Sequence, residues 1–402
     1  MKKLLISLSC VAVCSCKVSQ TTDLNQKADQ LAHKYIMTDG HVDLPFRLKV
    51  KNFRLDKEYT GIPVESQDGD FDYKRAKKGG LDAPFMSIYI PSSYEPKAAQ
   101  QLADSLINMV NFIADQKSEY FEVAKTPAEI KTIFSKGKVA LPMGMENGSP
   151  IINISDVGKY RKKGISYITL THAKDNLICD SSYDTTHTWK GLSPFGKDVV
   201  KEMIKQGVMI DVSHISDDSF YQVIGLTSVP VIASHSSARK FTPGFERNMS
   251  DDMIKAMKKN GGVIMVNFGS TFLDGKVADY RKELQKEIMA ELDKKGLKPR
   301  DEAAKPIMAA FFENNKQAFS DIPMVADHID HIVKLAGIDH VGMGSDFDGV
   351  GDSLPTGLKD VSDYPNLIAE LLKRGYKDAE IEKICSGNLF RVWNKVLKAA
   401  EM

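Results

Sequence analysis

Short, nearly continuous apolar runs alternate along the chain with longer segments in which apolar residues recur at helical spacing. Such runs are typical of parallel strands buried on both faces, because neither face then has to be polar. The predicted strands are residues 35–39, 83–90, 139–145, 166–170, 208–212, 231–234, 262–268 and 340–344. Helical patterns between them include residues 98–115, 198–206, 251–259 and 327–336. Eight alternating strand–helix units predict the α/β class and a single closed (β/α)8 TIM barrel.

The connection between the seventh and eighth predicted strands is longer than the others. Residues 276–297 have a charged amphipathic pattern that predicts a helix, and residues 298–306 predict a loop. We interpret this segment as an inserted helical excursion rather than a second domain. After the last strand, the patterns at 366–374 and 377–398 predict C-terminal helices that pack on the barrel.

The first residues have the pattern of an export signal. Two lysines precede an apolar stretch at 4–13, which is far too short to span a bilayer. The next residues, VCSC, resemble the bacterial lipoprotein cleavage box, whose final cysteine becomes the lipidated first residue. We therefore predict lipidation of Cys16, with Cys10 and Cys14 as weaker candidates. The alternative is an ordinary secretory signal whose cysteines are incidental.

This signal divides the chain into three predicted parts. Residues 1–15 are a lipoprotein signal peptide, the polar residues 16–30 are a tether, and residues 31–402 are the barrel domain. No later stretch is apolar enough to cross a membrane, so a lipid on Cys16 would be the only anchor. We expect an exported bacterial lipoprotein that is periplasmic or associated with the outer membrane.

The composition excludes some classes of partner and leaves the cysteines open. Lys and Arg total 54 against 53 Asp and Glu, so electrostatics gives no reason to expect nucleic-acid binding. A hydrophobic fraction of 42% fits a globular chain with a substantial core. Beyond the signal only Cys179 and Cys385 remain. Two cysteines do not form a disulfide framework, and whether they pair stays open.

Ionisable residues follow six of the eight predicted strands. The carboxyl-terminal ends of barrel strands form the face that carries the chemistry in this fold. The residues expected at that face are His41, Asp43, Glu146, His172, His214, His235 and Asp346. One buried polar group can be a satisfied core residue, but several that converge on one rim indicate a functional site.

The types and spacing of these residues favour a metal site. His41 and Asp43 are two residues apart, so on an extended strand they point to the same side. His214 and His235 follow adjacent strands, and Glu146 has two oxygens with which to bridge two cations. Imidazole and carboxylate suit zinc best, with manganese, cobalt or iron as alternatives.

The predicted assembly has one metal on His41, Asp43 and Glu146 and a second on Glu146, His214 and His235. In such pairs the metals lie roughly 3.5–4 Å apart and hold one hydroxide between them. The alternative is that several of these histidines are hydrogen-bonded core residues.

Ordered motifs extend over essentially the whole chain after the signal. They include DGHVDLPF at 39–46, GMENG at 144–148, YITLTH at 167–172, IDVSH at 210–214, VIASHSSA at 231–238, SDFDGV at 345–350 and GNLFRV at 387–392. With these motifs the chain resembles the membrane (renal) dipeptidase family, zinc-dependent dipeptidases of the amidohydrolase type. The resemblance implies a metallopeptidase that hydrolyses dipeptides, including some with a D-residue at the C-terminal position, and a homodimer.

The resemblance also implies roles for individual residues. It gives the same five ligands for two zinc ions per chain, with Glu146 in the catalytic centre. His172 matches the histidine that contacts the reacting carbonyl oxygen, and Arg247 matches the arginine that holds the substrate. Asp346 matches the aspartate that binds substrate and handles the proton. We expect dipeptide substrates and no nucleic acid.

Two other functions stay open at this point. One is a binuclear metal hydrolase that acts on another amide, a lactam or a lactone. The other is a lipoprotein that binds peptides without cutting them, although none of the five predicted ligands is missing.

Four further residues receive their own interpretations. His328 and His331, three residues apart, are expected on a solvated helix face rather than as a metal pair. Asp211 and Asp348 either orient ligands or form strand-end hydrogen bonds, and both alternatives stay open.

Overall fold

Eight parallel strands form a nearly closed barrel. The computed structural model describes residues 11–50 and 64–401, with side chains from residue 23 onward. Its strands are β1 (Met37–Val42), β2 (Leu81–Tyr89), β3 (Phe121–Val123), β4 (Val139–Leu141), β5 (Met143–Glu146), β6 (Ile165–Thr169), β7 (Met209–Asp211), β8 (Ile232–Ala233), β9 (Val263–Val266) and β10 (Val341–Met343). The order around the barrel is β1-β2-β5-β6-β7-β8-β9-β10, and β3 pairs with β4 alone. The predicted (β/α)8 barrel is confirmed.

Backbone hydrogen bonds connect the end of β10 to the end of β1. The amide of Asp346 donates to the carbonyl of His41 at 3.1 Å, and the amide of Asp43 donates to the carbonyl of Phe347 at 2.8 Å. These bonds hold the loop after β10 against β1, so that Asp346 lies beside His41 and Asp43.

Helices surround the barrel. They are α1 (Val11–Lys34), α2 (Leu44–Val50), α3 (Tyr73–Gly79), α4 (Pro96–Gln116), α5 (Pro127–Ser135), α6 (Ser155–Lys162), α7 (Pro194–Gln206), α8 (Asp217–Leu226), α9 (Asp251–Asn260), α10 (Ser270–Leu273), α11 (Gly275–Lys294), α12 (Lys305–Asn314), α13 (Ile322–Ala336), α14 (Tyr364–Lys373), α15 (Asp378–Glu382) and α16 (Asn388–Ala400). Gly207 and Gly261 end α7 and α9 in the left-handed conformation, as the sequence predicts. Within the described residues, no helix combines the length and the hydropathy that a membrane span requires.

The third predicted strand, 139–145, is two strands in the structure. Pro142 stands between β4 and β5 and has no amide hydrogen, so a single ladder cannot continue through it. β4 pairs with β3 outside the barrel, whereas β5 enters the barrel between β2 and β6. The first strand also lies later than the predicted 35–39, which places His41 inside β1 rather than after it.

The N-terminal helix includes much of the predicted tether. Residues 16–30 fall within α1, and Ala28, Leu31 and Ala32 are buried in the main core. Packing of the domain therefore begins before residue 31. Residues 1–10, and the side chains of residues 11–22, lie outside the described part of the chain, so the signal peptide and the lipidation of Cys16 stay predictions.

The segment between β9 and β10 has its own small core. Leu284, Ile288 and Leu292 of α11 pack with Ala304 and Ala318, separately from the main core. The sequence predicted the helix that became α11 but not α12, which follows the loop.

The expectation of a solvated face for His328 and His331 is wrong. His328 is fully buried; its Nδ1 accepts from the amide of Ala238 at 2.9 Å, and its Nε2 lies 2.8 Å from the carbonyl of Leu273. The Nε2 of His331 lies 2.7 Å from Asp251 Oδ1. Both histidines lie on the side of α13 that packs against its neighbours, where they form hydrogen bonds rather than a metal pair.

Cys179 and Cys385 are both buried free thiols. Burial raises the pKa of the Cys385 thiol to about 12, so this thiol is protonated at neutral pH. Because both thiols are free, Cys179 and Cys385 form no disulfide with each other.

Candidate active site

The carboxyl-terminal ends of the barrel strands surround a cavity of about 800 Å³. Of the predicted residues, its wall contains Asp43, Glu146, His172, His214 and Asp346. His41 and His235 are almost completely buried next to that wall. The fold therefore brings together the residues that were predicted from the strand ends.

Glu146 is the centre of the cluster. Its Oε1 lies 3.1 Å from His214 Nε2, 3.3 Å from His235 Nε2 and 3.5 Å from His172 Nε2. Its Oε2 lies 3.3 Å from His41 Nε2. Each oxygen of one carboxylate therefore faces a different part of the histidine cluster, which is the arrangement a bridging ligand needs.

The described residues contain three groups whose potential ligand atoms lie within 4.8 Å of one another. They are His41, Glu146 and His235; Glu146, His172 and His214; and His41, Asp43 and Asp346. The predicted five ligands are all present, but His172 and Asp346 are close enough to join them. The sequence could not foresee this grouping because it depends on how the imidazole rings pack.

Electrostatics in the cluster favours a cation. Burial by itself would lower the pKa of His41. Tyr167, Glu146 and Asp43 outweigh this effect and raise the pKa well above its ordinary value. The two carboxylates therefore stabilise positive charge near His41, which either a proton or a metal ion can supply. Burial opposes ionisation of Glu146, but the surrounding histidines hold its pKa well below the ordinary value.

Unsatisfied buried atoms point to the same conclusion. His41 Nε2 and Asp43 Oδ1 are buried and have no hydrogen-bond partner among the described residues. His214 Nε2 and His235 Nε2 face each other at 2.8 Å. Burial, together with charges that include Arg247, lowers the pKa of both histidines well below the ordinary value, so their rings are neutral. The cluster therefore offers imidazole lone pairs and carboxylate oxygens, the donors that suit zinc.

Two hydroxyl groups fix the rings of His41 and His235. Tyr167 Oη donates to the carbonyl of Gly40 at 3.0 Å, so it must accept its second bond, also 3.0 Å, from His41 Nδ1. Ser234 Oγ donates to Asp211 Oδ2 at 2.6 Å and must likewise accept from His235 Nδ1 at 2.7 Å. Each ring therefore uses Nδ1 for this bond and directs Nε2 towards the cluster, where it can bind a cation.

The structure answers the question left open for Asp211 and Asp348. Asp211 is fully buried and acts on His235 through Ser234. Asp348 instead lies 2.9 Å from Arg47 Nε and accepts from the amide of Asp70 at 2.7 Å. Asp211 therefore orients a candidate ligand, whereas Asp348 holds a loop at the cavity wall.

Asp346 has the environment of a proton carrier. Burial raises its pKa to about 7; Asp43 and Glu146 raise it as well, while His41 and a hydrogen bond from Asn267 oppose them. A carboxyl group with such a pKa can accept and return a proton near neutral pH. The Asn267 bond to Asp346 Oδ2 measures 2.8 Å. Asn267 follows β9, so the strand-end rule could have found it if amides had been considered with ionisable groups.

Several residues in the loops after the barrel strands adopt the left-handed backbone region. Among those at the cavity wall, the φ angles are 70° at His214, 64° at Asp346 and 65° at Asp348. Residues other than glycine seldom adopt this region, and such strain collects at functional sites where surrounding structure maintains it. The conformation turns His214 and Asp346 towards the cluster.

Arg247 lies against the cluster and is almost completely buried. Its Nη1 donates to Ser236 Oγ at 2.7 Å, and its Nη2 donates to the carbonyl of His235 at 2.7 Å. Nη2 also lies 3.0 Å from His214 Nε2, while Nε is buried without a hydrogen-bond partner among the described residues. The guanidinium group is therefore fixed in place and retains an unused donor.

The family model for membrane dipeptidases, peptidase family M19, matches residues 25–402. The chain belongs to the membrane dipeptidase family. A curated relative, dipeptidase tcpJ of Claviceps purpurea (strain 20.1), is 30% identical over 371 residues, which cover 89% of this chain and 76% of the relative. These matches confirm the resemblance inferred from the ordered motifs. As a member of this family, the protein is a metallopeptidase and therefore a hydrolase.

Solved structures show the same fold. The probable dipeptidase PvdM from Pseudomonas aeruginosa is 27% identical, with a TM-score of 0.78 and coverage of 94% of this chain and 100% of that chain. A metallo peptidase from Rhodobacter sphaeroides, solved with a phosphinate mimic of the dipeptide L-Ala-D-Ala, is 23% identical. The TM-score between the two structures is 0.72. The match covers 90% of the present chain and 99% of the Rhodobacter sphaeroides chain.

We expect the Ser234→Ala variant to bind zinc roughly 10- to 100-fold more weakly than the wild-type dipeptidase, because His235 loses the hydrogen bond that orients its ring. Competition with a chromophoric chelator, starting from metal-free protein, measures the affinity. Ser166→Ala is the matched control, because Ser166 is also buried but its hydroxyl has no hydrogen-bond partner among the described residues. Equal zinc affinity in both variants would exclude an orienting role for Ser234.

Proposed function

We propose that the protein is a binuclear zinc dipeptidase whose substrates include dipeptides with a D-residue at the C-terminal position. One observation carries the proposal: both oxygens of the buried Glu146 carboxylate face imidazole nitrogens, from His41 on one side and from His214 and His235 on the other. We assign one zinc ion to His41, Asp43 and Glu146 and the other to Glu146, His214 and His235. Family membership and the unpartnered Nε2 of His41 support this assignment.

Zinc ions bound to these residues would lower the pKa of a water molecule and make it a nucleophile near neutral pH. Asp346, buried beside Asp43, accepts the proton of that water and returns it to the departing amine. His172 donates a hydrogen bond to the carbonyl oxygen as negative charge develops on it. Burial and nearby positive charge, including Arg247, lower the pKa of His172 although Glu146 raises it, so the ring is neutral with one N–H to donate.

Arg247 explains why the substrates are dipeptides. A guanidinium group binds a carboxylate through two parallel hydrogen bonds. With a cation on His214 Nε2, Arg247 Nη2 would no longer contact that nitrogen and, together with Nε, would be available as a donor for the free C-terminal carboxylate. Because Ser236 and the His235 carbonyl hold Arg247 beside the cluster, the carboxylate must follow closely after the bond that is cut.

We expect Arg247→Ala to lower kcat/KM for dipeptides on the order of 100-fold, mainly through KM, with unchanged metal content. The measurement compares each dipeptide with its C-terminal amide, which lacks the carboxylate. Wild-type protein should prefer the free carboxylate, and Arg247→Ala should lose this preference. Arg247→Lys keeps the positive charge but not the planar group, so this variant should retain only part of the preference for the free carboxylate. A variant that still discriminates between the acid and the amide would place the carboxylate elsewhere.

The proposed function is tested by hydrolysis of a mixed panel of L,L and L,D dipeptides by the purified full chain, with metal content determined on the same sample. Cleavage with close to two metals per chain, abolished by chelator and restored by zinc, is the expected result. Two metals without cleavage would favour a hydrolase of lactams, lactones or other amides. Neither metal nor turnover would favour a peptide-binding lipoprotein.

The proposals on location and assembly rest on the sequence and on the family resemblance. We propose an exported bacterial lipoprotein, periplasmic or associated with the outer membrane, that is anchored through a lipid on Cys16 and forms a homodimer. Mass spectrometry of the mature N-terminus tests the lipid, and sedimentation of the purified chain tests the dimer.

A further inference from the structure

Two cations, Arg281 and Lys359, lie close to the ring of Phe319. Arg281, on α11, is part of the wall of the active-site cavity, and its guanidinium carbon lies 5.5 Å from the centre of the Phe319 ring. The Nζ of Lys359 lies 3.9 Å from the centre of the same ring. Lys359 and Phe319 line a second cavity of about 610 Å³. The insertion after β9 therefore contributes positive charge to the edge of the site.

Neither cation has a carboxylate partner among the described residues. Arg281 Nη1 donates to the backbone carbonyls of Ala318 at 3.0 Å and Asp352 at 3.4 Å, and Lys359 Nζ donates to the carbonyl of Leu354. The Nε and Nη2 atoms of Arg281 form no hydrogen bond with a described residue and are not among the buried unsatisfied atoms. Arg281 therefore has two adjacent N–H groups accessible for binding.

The other arginines of the site are occupied differently. Arg47 lies 2.9 Å from the Asp348 carboxylate, which neutralises it. Arg247 is held by Ser236 and the His235 carbonyl and is assigned to the C-terminal carboxylate. Arg281 is thus the cavity-wall arginine with neither a carboxylate partner nor an assigned role within the part of the chain that the structure describes.

The surroundings of Arg281 favour an anion beside it in the active-site cavity, with Lys359 nearby as a second positive charge. Arg281 also lies 4.7 Å from the centre of the Phe312 ring, so aromatic rings replace part of its hydration. Partial burial is the main cause that lowers the pKa of Lys359 to about 8, and repulsion from the neighbouring Arg281 lowers it further. Asp352, the acid that acts on both cations, is itself exposed and forms no ion pair with either. A carboxylate at this place would gain two parallel hydrogen bonds and relieve the repulsion.

We propose that Arg281, supported by Lys359, determines specificity by binding a carboxylate side chain of the substrate, so that the enzyme favours dipeptides containing aspartate or glutamate. The inference rests on the proposed dipeptidase function and adds to it the chemical class of the preferred side chain. The carboxylate can come from the first or the second residue of the dipeptide, and the two arms of the test distinguish these sources.

The test uses substrate pairs that differ only in charge: Glu-Ala against Gln-Ala for the first residue, and Ala-Glu against Ala-Gln for the second, with the second residue in both stereochemical forms. We expect the full-length, metal-loaded enzyme to prefer the acidic member of one pair. Its kcat/KM for that member should exceed the value for the neutral member by on the order of 10-fold or more. The preference should decline as salt is added, because part of the attraction is screened.

Arg281→Gln should remove the preference by raising KM for the acidic member alone, and Lys359→Gln should reduce it partially. Lys282→Gln is the matched control, because Lys282 is the next residue of α11 and is exposed to solvent. A purely structural role of Arg281, in which it only attaches α11 to the neighbouring loop, would lower kcat/KM equally for both members of a pair.

The outcomes separate this inference from the function on which it rests. If wild-type enzyme cleaves the neutral dipeptides but shows no acidic preference, the inference is wrong and the dipeptidase function stands. If Arg281→Gln lowers kcat/KM equally for both members of a pair, the inference is also wrong. It is wrong too if the preference for the acidic member persists in this variant. If no dipeptide of either kind is cleaved, both fail. The wild-type preference and its salt dependence keep the inference testable even if Arg281→Gln does not fold.

Discussion

The Asp346→Asn variant is expected to retain the proposed zinc ions and to lose turnover by about 10²- to 10⁴-fold, the contribution typical of a positioned proton carrier. The amide has almost the same shape as the carboxyl group, so the backbone bond between Asp346 and His41 is retained. However, an amide cannot accept a proton from water and return it to the leaving amine. The measurement is kcat on a neutral dipeptide together with metal content by elemental analysis.

Asp348→Asn is the control for the Asp346 variant. Asp348 is only two residues away and has the same left-handed backbone, but its carboxylate lies against Arg47 rather than against the cluster. We expect this variant to retain both metals and most of its turnover. If Asp346→Asn loses metal instead, Asp346 acts chiefly as a ligand, as its position near His41 and Asp43 also permits.

Glu146→Gln is expected to reduce zinc affinity at both proposed zinc positions. The loss should exceed the roughly 10- to 100-fold that follows when a ligand loses only a hydrogen-bond partner behind it. The amide removes the negative charge between the histidines and gives one of the two bridging positions an N–H₂ group, which cannot bind a cation. Activity should be lost with the metal. The readout is zinc content after dialysis against buffered zinc, combined with the shift of Tm on zinc addition, which follows the affinity.

Ser87→Ala is the comparison variant for Glu146. Ser87 Oγ donates to Glu146 Oε2 at 3.3 Å, so its removal leaves the carboxylate in place without one hydrogen bond. This variant should keep both metals and show a Tm shift close to that of wild type. If Glu146→Gln binds two zinc ions as tightly as wild type, the assignment of Glu146 as the bridging ligand is wrong.

The sequence predicted the positions of the site residues well because they follow the strands. In a parallel barrel every strand ends on the same face, so a residue placed directly after an apolar run reaches that face whatever the details of the packing. His172 and His214 needed no more information than this. The same reasoning failed at 139–145, where Pro142 divides the run and only its second half, β5, carries Glu146 into the barrel.

Contacts between residues distant in sequence were not predictable in the same way. His328 and His331 have the spacing of an exposed helix face, yet α13 turns them into the protein, where Ala238 and Asp251 supply partners. The hydrogen bond that His41 donates to Tyr167 connects strands that are not neighbours in the sheet. Arg281 comes from a helical segment that looked like a charged insertion and became part of the cavity wall.

The barrel, the family and the residues at the carboxyl-terminal face could be predicted from the chain alone, because periodicity and strand ends are local properties. Three features became visible only in the folded protein: which oxygen of Glu146 faces which histidine, which ring nitrogens face the cluster, and which cavity-wall arginine has no carboxylate partner among the described residues. These features depend on distances of about 3 Å between side chains that lie tens to hundreds of residues apart, and hydrogen bonds form only within such distances. Local pattern places a residue on a face, whereas packing decides what that residue contacts.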